Sequence, residues 1–163
     1  MAEETRKPNA EDAKILAHMY ATFVTDRIYD AFVWFYSVFG YYDTTKAGKG
    51  PEAFDYEAFV QQNPRGSDGY KRWTAIASFF ETLGVLVRHG VLHEAVVLDR
   101  FPVESYWRYL EPIIEQEREQ GMLCDTAWIA DNFQFLAERA LEFRKAGLGH
   151  ARFLPGSGGP SPK

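Results

Sequence analysis

A chain of 163 residues is the length of one domain, and such a domain buries roughly 70% of the surface its unfolded chain would expose. A net charge of −5 and a pI near 5.4 exclude a general electrostatic attraction to nucleic acid phosphates or to anionic lipid. The only cysteine, Cys124, excludes an intrachain disulfide and a cysteine-built metal centre, and the mixed charges of "MAEETRKPNAEDAK" do not make a secretory signal. We expect a cytoplasmic protein.

The first helix signal is "NAEDAKILAHMY", where Asn9 can cap and Glu11 and Asp12 place negative charge on the first turn. Ile15, Met19, Phe23, Ile28, Phe32, Phe35 and Phe39 then follow mostly three- and four-residue steps, with one five-residue step from Phe23 to Ile28. The spacing predicts one long helix, or two collinear ones, from about 10 to 42, with any break near Thr25 and Asp26. "DTTKAGKGP" reads as a loop, and "PEAFDYEAFVQQNP" as a short helix with Pro51 in its first turn and Pro64 closing it. "YKRWTAIASFFETLGVLVRHG" is the strongest internal helix: Trp73, Ile76, Phe80, Leu83 and Val87 share a face, Gly90 is the natural C-cap, and a central place in the fold is expected.

"LHEAVVLDRF" predicts a short helix and "VESYWRYLEPIIEQEREQG" a longer one with Pro112 inside, where a kink is expected. The last helix, "DTAWIADNFQFLAERALEFRKAG", is expected to start at Asp125 and to end at Gly147. No stretch alternates as a strand would. The expected fold is all-α: a single-domain bundle of five to six helices over residues 9–147, with a long N-terminal helix, a flexible start over 1–8 and a flexible Gly/Pro/Ser-rich tail over 148–163.

The stretch "YDAFVWFYSVFGYY" carries eight aromatic side chains in fourteen residues. Its uncharged core, Ala31 to Tyr42, has twelve residues, whereas a spanning helix takes about 20, so no transmembrane segment is expected there. On a helix Ile28, Phe32, Phe35 and Phe39 share a core face flanked by Tyr29, Val33 and Tyr36. Ala31, Trp34, Val38, Tyr41 and Tyr42 point elsewhere, and Trp34, Val38, Tyr41 and Tyr42 are the expected interaction residues.

Polar constellations are sparse. "AGKG" lacks the spacing of a phosphate-binding loop, and His89 and His93 have metal-ligand spacing but are separated by Gly90, where the helix should end. No metal site, catalytic residue or cofactor is expected. Glu81, following Phe79 and Phe80 in an apolar helix, has two readings: a carboxylate tuned by burial for acid–base work, or an acid bonded to an arginine or to a neighbouring helix end. With Arg88 and Arg108 it makes the candidate buried polar site. Arg118 is a further candidate cationic partner.

Three stretches resemble an uncharacterised bacterial all-α family catalogued as a domain of unknown function. They are an aromatic–aromatic–Glu helix (Phe79, Phe80, Glu81, Leu86, Val87, Arg88, Gly90), an aromatic–Trp pair before Leu-Glu-Pro-Ile (Tyr106, Trp107, Leu110, Glu111, Pro112, Ile113), and an aromatic–X–X–Leu-Ala run in "NFQFLAERA". The resemblance covers about Arg72 to Arg139 and implies a helical fold without catalytic residues. Many of its members carry a membrane segment ahead of the domain, and such a segment is not expected in this chain.

The function expected is that of a non-catalytic helical module that binds a protein partner or assembles into a homo-oligomer. One alternative is a small-ligand-binding protein or enzyme with a polar site around Glu81, Arg88 and Arg108. Another is a peripheral membrane protein that lays its aromatic helix into the interface. No nucleic acid partner is expected.

Overall fold

The computed structural model describes residues 7–23, 26–39, 54–120 and 130–147. Among them are seven helices and no strand: α1 (Ala10–Phe23), α2 (Asp26–Val38), α3 (Tyr56–Gln62), α4 (Asp68–Arg88), α5 (Glu94–Arg100), α6 (Val103–Gln120) and α7 (Asp131–Lys145). The all-α class is as expected, with a seventh helix because the predicted N-terminal rod is two helices. They meet where the apolar spacing slips by one residue after Phe23, and they serve different partners: α1 packs on α5 and α2 on α4. The flexible ends expected at 1–8 and 148–163 fall wholly or mostly outside the described residues, as do Tyr41, Tyr42, Pro51, Cys124 and Asp125.

Local chemistry fixes most helix ends. Asn9 Oδ1 accepts from the amides of Glu11 and Asp12 while Asp12 Oδ2 accepts from the Asn9 amide, a reciprocal capping box. Asp55 caps α3 through the Ala58 amide at 2.9 Å, so that helix begins at Tyr56, five residues after the expected Pro51. Ser67 caps α4 through the Tyr70 amide. At the far end of α4 Gly90 has φ +69, its amide donates to Val87, and the Val91 amide donates to Leu86. This is the paired closure that a left-handed glycine permits. α6 continues through Pro112, which lies on its exposed side.

α4 is central, packing against α2, α6 and α7. Phe80, fully buried, stacks on Phe133 of α7 at 4.9 Å and meets Tyr106 of α6 at 5.0 Å and Phe32 of α2 at 6.0 Å. Burying a side chain of this size contributes about 1.5–3 kcal/mol, and offset or edge-on ring pairs add about 0.5–1.5 kcal/mol each. α6 and α7 run antiparallel, with Arg118 near the end of one on Asp131 at the start of the other, and Glu104 near the start on Arg144 near the end.

The aromatic stretch divides differently from the sequence expectation. Phe32, Phe35 and Phe39 are buried as predicted, but Ala31 is also fully buried, and Tyr29 and Val33 are 56% and 43% exposed. Two neighbours explain the rotation: α4 and α3 cover the Ala31–Trp34–Val38 side, Trp34 lying 6.0 Å from Phe59 and 6.0 Å from the Arg72 guanidinium. The Tyr29–Val33 side, one turn apart at i and i+4, is left uncovered among the described residues.

Candidate functional site

Helix α7 begins without a cap of its own. Ala130 stands before it at φ 62, and its side chain has nothing to offer the first amides. Glu81 of α4 supplies the missing acceptor: one carboxylate oxygen accepts from the Asn132 and Phe133 amides, both at 2.9 Å, and the other from Asn132 Nδ2 at 2.6 Å. Those amides are at the second and third positions of α7, where a side-chain cap ordinarily bonds, and the negative charge faces the positive end of the helix dipole. Glu81 therefore acts at a neighbouring helix end, the second of its two sequence readings. A start at Ala130 also places the beginning of α7 five residues past the expected Asp125.

One turn on, Gly84 makes this approach possible. A Cβ built on Gly84 would lie 2.1 Å from the Asn132 carbonyl oxygen, so α4 and α7 touch backbone to backbone. In "FFETLG" Phe80 stacks on α7, Glu81 caps it and Gly84 lets it in. The family-like stretches thus meet at one point: Tyr106 packs on Phe80 and Trp107 on Phe133, both at 5.0 Å.

Beside the cap lies a cavity of about 230 Å³ walled by Tyr70, Trp73, Thr74, Ser78, Glu81 and Glu117. Glu117 Oε2 accepts from Arg65 Nε at 3.1 Å and from its Nη2. Burial lifts the Tyr70 phenol above its ordinary value, Glu117 pushes it further, and Arg65 offsets part of that. Glu81 has no ion pair among the described residues.

The other residues singled out by sequence do not join this site. Arg88 is exposed on α4, its guanidinium 4.7 Å from the Phe135 ring, and Arg108 is exposed on α6. Arg118 serves Glu115, Asp131 and Gln134. Trp34 and Val38 are half-buried against the core and line a groove of about 470 Å³ with Phe54 and Phe59. His89 is exposed at the end of α4, while His93 caps α5, its Nδ1 accepting from the Ala95 amide at 3.1 Å, so the two do not share a helix face. No group of three metal-ligating side chains occurs among the described residues.

Sequence reasoning missed Asp12 as a cross-link. Its buried carboxylate closes the α1 box and also accepts from the His93 amide at 2.8 Å, tying α1 to the start of α5. It also missed the Glu94–Arg139 fork, two bonds of 2.7 and 2.8 Å between α5 and α7. Arg139 hydrogen bonding holds the Glu94 carboxyl below its usual range against the opposing effect of burial. The Asn-X-X-Asp spacing could have revealed the box, whereas nothing local to the sequence reports the inter-helix partners.

A family model described as Domain of unknown function (DUF4760) matches residues 39–139, more than half of the chain. The chain belongs to this family. No curated protein and no solved structure matches it. The DUF4760 match takes in α3 to α6 and α7 as far as Arg139, so Glu81, Gly84 and the α7 start they receive all lie inside it. Helix α1, and α2 through Val38, precede the DUF4760 match, and with them the exposed Tyr29 and Val33. Among the described residues no helix is long and apolar enough to cross a membrane.

Proposed function

We propose that this DUF4760 chain is a non-catalytic helical module that binds a protein partner or a second copy of itself. The observation that carries the reading is the Tyr29–Val33 side of α2, uncovered among the described residues and directly beside a helix face that is packed with aromatic residues. Tyr29 and Val33, 56% and 43% exposed and one turn apart, form an apolar strip in which the tyrosine is the anchor for a helix laid alongside. The polar groups singled out support the same reading, because Glu81 and His93 cap helices and Arg118 serves an inter-helix ion pair. A lone cysteine suits a reducing compartment, and we assign the module to the cytoplasm.

The test is native mass by light scattering and chemical cross-linking, comparing wild type with Tyr29→Ser/Val33→Ser. The expected result is association that the double variant weakens while helix content is unchanged. A wild type that stays monomeric and yields no stoichiometric partner overturns the reading, as does a double variant that associates like wild type.

The 230 Å³ cavity at Glu81 favours a second reading, a small-ligand-binding protein, whose ligand chemistry is argued next.

A further inference from the structure

We propose that the cavity beside Glu81 binds a small organic cation, an ammonium group on a short apolar body. This rests on the ligand-binding reading above and is independent of the α2 surface. Its volume of about 230 Å³ lies below the roughly 300 Å³ at which sites for drug-sized ligands begin, which selects a molecule of a few carbons.

The lining chemistry selects the charge. Tyr70 and Trp73 lie edge to face at 5.1 Å and both line the cavity, giving it the aromatic surface on which an ammonium group is held by the ring quadrupole. Two carboxylates, Glu81 and Glu117, also line it, and among its described lining residues none is cationic. Glu81 is committed to the start of α7, so it closes the wall rather than meeting the ligand. Glu117 is half committed. Its Oε2 takes both bonds from Arg65, while Oε1 has no hydrogen bond among the described residues.

Glu117 is well buried, with 14% of its side chain exposed, and Arg65 is 40% exposed. A guanidinium at that exposure holds its partner weakly and can give way to a better-enclosed cation. The Ser78 and Tyr70 hydroxyls add acceptors without adding charge. The ligand's ammonium therefore sits between Glu117 Oε1 and the aromatic pair, with its alkyl part toward Trp73 and Ala77. An anion would face two carboxylates, and a neutral molecule would leave Glu117 Oε1 unused.

The experiment is isothermal titration of the full chain with n-butylammonium chloride and tetramethylammonium chloride, and with n-pentanol as the neutral comparator. Both ammonium salts are expected to bind in the millimolar range or tighter and pentanol at least about tenfold more weakly, the factor that separates one good charge contact from none. Glu117→Gln is expected to weaken ammonium binding about tenfold, and Arg65→Ala, which frees Glu117, to tighten it. Ser78→Leu, on an exposed position of α4 at the cavity, is expected to block binding, and circular dichroism checks that each variant is folded. Absence of binding by either ammonium salt, pentanol binding as tightly as butylammonium, or ammonium binding unchanged in Glu117→Gln overturns the proposal. Association through Tyr29 and Val33 is unaffected by any of these outcomes.

Discussion

Removing the Glu81 carboxylate tests the central contact of the fold. In Glu81→Ala the amides of Asn132, half-buried, and Phe133, fully buried, lose their acceptor together with Asn132 Nδ2. An unsatisfied buried donor costs about 1–3 kcal/mol and loss of a helix cap about 1 kcal/mol, and the two descriptions overlap. Water can reach the Asn132 side, so the expected destabilisation is about 3 kcal/mol rather than the sum. For a chain of this length that is a fall in Tm of about 6–12 °C. Glu81→Gln keeps the oxygen that accepts from the two amides, but it loses the charge at the helix dipole and sets an NH2 donor against Asn132 Nδ2, for about 1–2 kcal/mol. Urea denaturation followed by circular dichroism measures both, and hydrogen exchange at Asn132 and Phe133 localises them. Unchanged exchange at these two amides in Glu81→Ala, or a Gln variant as unstable as the Ala variant, refutes the reasoning.

Gly84→Ala should cost about 2–3 kcal/mol by urea denaturation although alanine is the better helix former by about 1 kcal/mol, because the new methyl meets the Asn132 carbonyl. Gly90→Ala should cost about 1–2 kcal/mol by the same measurement, since φ +69 puts the methyl against its own backbone. Glu94→Gln should be less stable than wild type at neutral pH by up to about 1 kcal/mol, the pair with Arg139 being partly exposed. Because folding lowers the Glu94 pKa, that contribution is present above the unfolded carboxylate value and disappears as pH falls through the lowered folded value. Denaturation curves of the two proteins should therefore converge below about pH 4.

The helical class, the face of α4 and the glycine that ends it were legible because they depend on three- and four-residue spacing and on residues adjacent in sequence. Trp73, Ile76, Phe80 and Leu83 are buried as the period predicts, and Gly90 turns where the pattern stops. The aromatic stretch was legible only in part. Periodicity places Phe32, Phe35 and Phe39 together but does not say how wide a sector the neighbours cover, and α3 and α4 cover the Trp34 side in place of the Tyr29 side. Starts of helices were harder than ends. Asp55 and Ser67 are ordinary local caps, whereas the acceptor for α7 comes from 51 and 52 residues away in sequence.

By itself the sequence determined an all-α chain, its amphipathic faces and the local stops of its helices, because each is settled within a turn or two of backbone. Tertiary structure alone decided what Glu81 is for. A carboxylate behind two phenylalanines has the same local pattern whether it meets a substrate, an arginine or a helix end. It became the cap of α7 because Gly84 admits that helix to backbone contact and Ala130 leaves its first amides without an acceptor.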